Sequence, residues 1–240
     1  MSYFGTTKIG KIYLGSTEIA KAYLGNDLVF QSGGGGSPLT RLAYFDTDGL
    51  NYILTPVIYE PGHSYTIVMD VQFLNNTGNK GTGWNAGGAL AVFGNNAQYG
   101  NGSSLITPVI SVTNRITATI SIGSGTTTYS AIYNGNTSTG SRSNSSLATY
   151  AGSTGYPIGC MTNSGGTVPT DGLAMRIRSV QISKDGVIVF DGLPYISNES
   201  VENEQGQTVP VGTVGLYDTV TQKFYTNRGS GNDFTPGYNS

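Results

Sequence analysis

The residues of this chain that could perform acid–base catalysis are few and far apart. Glu202 and Glu204 form the closest pair of glutamates. Two carboxylates on one face of a strand are what a retaining glycosidase uses as its nucleophile and its acid. This pair stands in a polar stretch without a strand pattern, which favours a solvated turn. The sequence therefore predicts a protein that is not an enzyme, with no catalytic residues.

Residues that could bind a metal ion or form a disulfide are equally scarce. His63 is the only histidine and Cys160 the only cysteine, so no set of side chains has the spacing of a zinc site. A calcium site formed by Asp46, Asp48 and loop carbonyls is an open alternative, although the spacing favours no metal and no cofactor. Cys160 lies between Ile158 and Met161, which predicts a buried thiol in a domain that needs no disulfide, as expected after folding in a reducing cytoplasm.

Two aromatic residues lie in polar, glycine-rich stretches and could bind a sugar. Trp84 is the only tryptophan and is followed by Asn85, and Tyr99 lies in a similar context. In a sugar site, an aromatic ring stacks against the apolar face of the sugar, and amide groups form hydrogen bonds with its hydroxyls. We therefore predict Trp84, Asn85 and Tyr99 as candidate glycan-binding residues. The alternative is that the Trp84 ring folds inward and anchors its own loop.

Composition and charge argue against two other kinds of partner. The formal net charge is −2, with 12 lysines and arginines, which provides no basic surface for nucleic acid. No apolar run approaches the length of a membrane span, and no signal-peptide pattern begins the chain. We expect neither nucleic-acid binding nor insertion into a membrane.

The first thirty residues repeat a ten-residue unit, which begins with Tyr3-Phe4-Gly5, Tyr13-Leu14-Gly15 and Tyr23-Leu24-Gly25. Each unit pairs an aromatic–apolar–glycine step with a small polar turn, which predicts a short β-meander over residues 1–32. Both faces of this meander are partly apolar, so it needs another surface for burial. The predicted anchoring and oligomerisation residues are Tyr3, Ile12, Tyr13, Leu14, Tyr23, Leu24, Leu28 and Phe30.

The rest of the chain has the pattern of one large β domain. Residues 33–38 form a Gly/Ser-rich linker, either natural or engineered, and residues 39–240 have the length of one sandwich. Glycine accounts for 36 residues of the chain and charged residues for 11%, and helical periodicity is nearly absent. We predict an all-β protein with an antiparallel jelly-roll sandwich. Its strands are expected at residues 65–73, 89–93, 109–112, 116–122, 127–133, 174–183 and 187–191.

Several segments resemble a known family of β domains. Residues 178–194, the stretch around Gly215-Leu216-Tyr217-Asp218, and residues 45–55 and 68–73 resemble concanavalin A-like (laminin G-like) jelly-roll domains. Such domains recur in bacteriophage fibre and adhesion proteins, and the Tyr-Leu-Gly repeat resembles N-terminal segments of phage virion proteins.

The resemblance implies a non-enzymatic structural protein of a phage virion. The expected role is that of a head fibre or capsid appendage, assembled in the host cytoplasm. Its partners would be capsid or tail proteins, contacted through the N-terminal repeat, and other copies of the chain, most simply in a homotrimer. The alternative is an adhesin that binds a host receptor or surface glycan.

Overall fold

The structure, a computed structural model, describes residues 37–74, 154–162, 169–170, 172, 174–231 and 233–238. It also describes the backbone of six strands before residue 32 and of seven strands between residues 81 and 143. In the second group, some of the side chains are described as well. The linker residues 33–36 lie outside the described residues.

The N-terminal repeat forms three antiparallel pairs of strands, one pair within each ten-residue unit. Each strand has two to five residues. Among the described residues, no ladder joins one pair to the next, so the repeat differs from the predicted continuous meander. The pairs are β1 (Tyr3–Phe4) with β2 (Thr7–Lys8), β3 (Ile12–Leu14) with β4 (Thr17–Ile19), and β5 (Lys21–Leu24) with β6 (Asp27–Gln31).

The remaining strands follow in chain order. They are β7 (Leu39–Arg41), β8 (Tyr44–Asp46), β9 (Ile53–Ile58), β10 (Tyr65–Phe73), β11 (Gly81–Ala86), β12 (Ala89–Gly94), β13 (Gln98–Tyr99), β14 (Ser103–Ser104), β15 (Arg115–Ile122), β16 (Thr126–Tyr133), β17 (Asn136–Ser143), β18 (Gly155–Ile158), β19 (Met161–Thr162), β20 (Pro169–Thr170), β21 (Met175–Lys184), β22 (Val187–Ser197), β23 (Val201–Glu202), β24 (Thr208–Val209), β25 (Val214–Asp218), β26 (Lys223–Tyr225) and β27 (Thr235–Gly237).

One large antiparallel sheet dominates the molecule. Its strands lie in the order β17-β16-β15-β10-β21-β22-β25-β26, and β7, β8 and β27 pair beside this path. The prediction of strand β10 is confirmed with its bounds, and those of β15, β16 and β21 are confirmed to within one residue. The predicted strand at residues 109–112 lies outside the described residues.

The hydrophobic core lies between this sheet and a second layer, so the predicted all-β sandwich is confirmed. Strand β10 turns alternate residues inward, from Tyr65 to Phe73. Strand β21 contributes Met175, Ile177, Val180 and Ile182, with an irregularity in the pairing between Ile177 and Val180. Strands β9, β11 and β18 supply the other side, with Ile53, Trp84 and Tyr156. Inward-facing apolar residues from two layers are what holds a sandwich together.

Two turns of the large sheet are formed by residues that suit turns. Asp185 and Gly186 connect β21 and β22 with positive φ angles of 51° and 80°. Asp218 is fully buried, and its carboxylate accepts hydrogen bonds from the backbone N–H groups of Asp191, Val220 and Thr221. These bonds tie the β25–β26 turn to the neighbouring strand β22.

Among the strands that the sequence does not predict, β11 and β17 are polar. Both segments are rich in Gly, Asn, Ser and Thr, a composition typical of loops. Each is nevertheless paired along its whole length, β11 with β12 and β17 with β16. Backbone hydrogen bonding needs no apolar side chain, so a strand with one solvated face can lack the usual pattern. No helix in the described part of the chain could cross a membrane.

Candidate functional site

The two glutamates closest in sequence do not form a free carboxylate pair. The Glu204 carboxylate accepts hydrogen bonds from Arg228 Nη1 at 3.2 Å and from the Thr226 backbone N–H at 3.3 Å. Glu202 is exposed and lies in the short strand β23, rather than in the predicted turn. Glu204 therefore stabilises the segment that follows β26, and the geometry assigns it a structural role.

His63 lies in an exposed cluster of charges at one end of the sandwich. Its Nδ1 atom is 2.6 Å from Asp185 Oδ2, and its Nε2 atom is 3.7 Å from Glu60 Oε2. Glu60 also accepts a 2.8 Å hydrogen bond from Lys184, which holds the pKa of its carboxyl below the ordinary value. The pKa of the Asp185 carboxyl is lowered, mainly by its hydrogen bond from the Ser64 backbone N–H and secondly by its hydrogen bond with His63. The cluster ties the β21–β22 turn to the turn that precedes β10.

The aspartates considered for calcium are bound to groups of the protein. Both carboxylate oxygens of Asp46 accept hydrogen bonds of 2.8 Å from Arg176. Asp48 Oδ1 accepts hydrogen bonds from the backbone N–H groups of Leu50 and Asn51. Among the described residues, no three His, Cys, Asp or Glu side chains converge as metal ligands would. Calcium at this place would have to displace these bonds.

Cys160 is a buried free thiol, as its apolar neighbours predicted. Burial raises the pKa of the thiol far above its ordinary value, because the thiolate would lose its hydration. A thiol held in its neutral form is a poor nucleophile. The geometry therefore makes Cys160 a packing residue.

Trp84 lies in the core, so the prediction of a sugar platform at this residue is wrong. Its exposed fraction is 1%, and its ring packs edge-on against Tyr59, Tyr65 and Tyr156 at centroid distances of 5.0 to 5.6 Å. The indole N–H donates to the Thr154 carbonyl at 3.3 Å. The physical reason is the pairing of β11, which turns the ring inward from a strand. The alternative, an inward-folded anchor, is the one that the structure supports.

The other predicted binding residues have described backbones only. Asn85 lies in β11 and Tyr99 in β13, and their side chains lie outside the described residues. The same holds for the predicted anchoring residues Tyr3, Ile12, Tyr13, Leu14, Tyr23, Leu24, Leu28 and Phe30, which lie in the N-terminal strands. The backbone places Leu14 and Leu24 at the last positions of β3 and β5.

A groove on the outer face of the large sheet is the candidate site that sequence reasoning missed. Its volume is about 370 Å³, within the range of small-molecule sites. Among the described residues, its lining contains Gly140 and no charged, aromatic or aliphatic side chain. It is otherwise formed by the hydroxyl-bearing residues Thr119, Ser121, Thr128, Ser130, Thr139 and Ser141, which come from the adjacent strands β15, β16 and β17.

Strand register arranges these hydroxyl-bearing residues in two rows. One row consists of Thr119, Ser130 and Thr139, which pair directly across the three strands. The second row consists of Ser121, Thr128 and Ser141, and it continues through Thr66 on β10 to Ser183 on β21. Five strands at a spacing of ~4.8 Å give this second row a length of about 19 Å.

The groove has a signal in the sequence that could have been found. Each of the three strands carries the pattern Thr-x-Thr-x-Ser, beginning at Thr117, Thr126 and Thr137. Because side chains alternate between the two faces of a strand, the three hydroxyl-bearing residues of each pattern lie on the same face. The pattern indicates a shared face only if residues 136–143 form a strand. Their composition favours a loop, so the sequence does not predict a face made of three strands.

The arrangement can bind a ligand, but its described lining residues include no group that would transfer a proton near neutral pH. Each hydroxyl offers one donor and two acceptor positions, so the lining can exchange hydrogen bonds with a ligand of the same kind. Comparison with protein-family models, curated proteins and solved structures finds no match to this chain. Its fold and its candidate site therefore define it only as an antiparallel β-sandwich with a hydroxyl-lined groove.

Proposed function

We propose that this chain is a non-enzymatic appendage protein of a phage virion, a head fibre or capsid decoration, in which the N-terminal repeat is the anchor and the sandwich is the displayed part. The observation that carries the proposal is the contrast between the two parts. Each repeat unit closes on itself as a two-stranded pair, whereas the sandwich completes its sheets from residue 39 onward.

The anchoring role follows from the weakness of isolated strand pairs. A single two-stranded hairpin is at best marginally stable in water, so the three pairs need cover from another surface. We assign that cover to a capsid or tail protein, or to other copies of the chain in a homotrimer. The apolar repeat residues Leu14 and Leu24 stand at strand ends before a glycine and would supply the contact.

Charged substitutions in the repeat test the anchor. With Leu14→Asp or Leu24→Asp, we expect attachment to particles to fall by about a thousandfold, because an unpaired buried charge costs several kcal/mol and each ~1.4 kcal/mol is tenfold. Co-sedimentation of purified protein with particles lacking it measures the effect.

The control is Glu18→Lys, which reverses a charge at a position that is already polar. This variant should attach normally, and the far-UV spectrum of every variant should match that of the original chain. Normal attachment of the leucine variants would mean that the repeat is not the anchor.

A second candidate is an adhesin that recognises a surface glycan through the sandwich. The hydroxyl-lined groove is the specific observation in its favour, since a purely structural role does not require it. Binding of the sandwich to host-cell surface polysaccharide, measured with particles absent, separates this role from capsid decoration.

A further inference from the structure

We infer that the groove on strands β15, β16 and β17 binds a neutral, extended glycan that lies across the strands. The inference rests on the second proposed function, recognition by the sandwich, and is independent of the anchoring role. It names the site and the chemical class of the ligand.

The lining excludes several other classes of ligand. In the part of the groove that the structure describes, no lysine or arginine contributes to the lining, so nucleic acid and acidic glycans would find no counter-charge there. None of the described lining residues has an apolar side chain either, so an amphipathic peptide would find no pocket for its anchors. A neutral sugar differs from both, because its hydroxyl groups donate and accept hydrogen bonds as the threonines and serines do.

The shape of the polar face indicates an extended ligand. The row from Ser141 through Thr128, Ser121 and Thr66 to Ser183 crosses five strands. These side chains are exposed or partly exposed, so they face solvent rather than the core. A polymer with repeated hydroxyl groups can follow such a row, whereas a compact ligand would contact only part of it.

The described residues of the lining include no aromatic side chain, which predicts modest affinity. Stacking of a sugar on a ring contributes apolar contact that hydrogen bonds between hydroxyls do not replace. Each such hydrogen bond is exchanged for one to water and changes affinity by about tenfold at most. We expect the longest oligosaccharides to bind best, because they engage the most hydroxyls.

The chain provides a matched pair of triple variants. The first, Thr119→Val with Thr128→Val and Thr139→Val, removes three lining hydroxyls and keeps the side-chain shape. The control, Thr117→Val with Thr126→Val and Thr137→Val, makes the same changes at exposed residues two positions away on the same strands. Valine is favoured in strands, so both triple variants should fold.

The experiment titrates the full chain with neutral hexasaccharides of glucose, mannose and xylose, and with hexagalacturonate as the charged comparison. Calorimetry or ligand-observed NMR measures binding at millimolar concentration. We expect at least one neutral hexasaccharide to bind, a loss of about tenfold or more in the lining variant, and a change within about twofold in the control. Hexagalacturonate should bind more weakly than the neutral ligand.

The outcomes that overturn the inference are distinct. If a hexasaccharide binds equally well to the lining variant, the site lies elsewhere and only the recognition role survives. If both triple variants lose affinity alike, the lining hydroxyls are not specific and the site is rejected. Preferred binding of hexagalacturonate would refute the ligand class. Failure of every hexasaccharide to bind the folded chain would reject the site and count against the recognition role as well.

Discussion

At the scale of single residues, Trp84 shows how burial decides what a side chain can do. Its sequence context, glycines and asparagines on both sides, is typical of a loop that presents a ring to solvent. In the structure, the ring contacts three tyrosines and its N–H is bonded. It therefore stabilises the junction between the two layers of the sandwich.

We predict that Trp84→Ala lowers the free energy of unfolding by about 3–5 kcal/mol, the usual cost of removing a large aromatic ring from a core. Urea unfolding followed by circular dichroism measures it. Tyr238→Ala is the control, since Tyr238 is 62% exposed, and it should change stability by less than ~0.5 kcal/mol.

The same variant bears on any glycan-binding assay. Loss of binding in Trp84→Ala would follow from unfolding and would not locate a sugar site. A Trp84→Ala protein of unchanged stability would contradict the packing described above.

At the scale of elements, the end of the β21–β22 hairpin is held by charged groups at the surface. Asp185 has a positive φ of 51°. Its carboxylate accepts a 2.9 Å hydrogen bond from the Ser64 backbone N–H and also contacts the His63 ring. Its pKa and that of Glu60 are lowered from ordinary values of 3.8 and 4.5. The pKa of Lys184 is raised, first by its hydrogen bond to Glu60.

We predict that acid weakens this end of the sandwich. A carboxyl group with a lowered folded-state pKa stabilises the fold above its unfolded-state pKa, and that contribution is lost as the pH falls through the folded value. The melting temperature should therefore drop as the pH falls below about 4.5. Asp185→Asn removes the charge but keeps a side chain that tolerates the positive φ.

The measurement compares the melting temperatures of the original chain and of Asp185→Asn over a range of pH values. Their difference in melting temperature should be largest near neutral pH and should shrink as the pH falls through the folded-state pKa of Asp185, which lies below its ordinary value. Asp233→Asn, a change of the same charge at an exposed position, serves as the control. An equal difference between Asp185→Asn and the original chain at all pH values would contradict the charge-based account.

At the scale of the whole molecule, the sandwich begins two residues earlier than its sequence pattern indicates. Asn198 donates from its backbone N–H to the Pro38 carbonyl at 2.8 Å and from Nδ2 to the Ser37 carbonyl at 2.8 Å. These residues belong to the predicted linker, whose last two positions are thus bonded to the sandwich.

We predict that a fragment of residues 37–240 unfolds cooperatively, with the stability of the sandwich in the full chain. A fragment of residues 39–240 should be less stable by about 1 kcal/mol, because it lacks the Ser37 and Pro38 carbonyls while Asn198 Nδ2 keeps its hydrogen bond to Thr40 Oγ1. Chemical unfolding followed by the fluorescence of Trp84 measures both. Non-cooperative unfolding of the longer fragment would show that the sandwich depends on the repeat.

Much of the fold could be predicted from local patterns. The alternation of apolar residues located β10 and β21, because a half-buried strand needs one apolar face. The Asp185-Gly186 turn was predictable because few residues accept positive φ. The candidate site was harder, since serine and threonine are common in loops and the composition of β17 resembles one.

The sequence by itself determined an all-β chain with a repeated N-terminal unit and a buried cysteine. These features depend on neighbours a few residues apart, so periodicity and turn chemistry reveal them. Only the tertiary structure decided that Trp84 faces the core and that the hydroxyls of three strands align in rows. Both depend on which strands pair and in what register, and pairing joins residues far apart in the chain, such as Thr66 and Ser183.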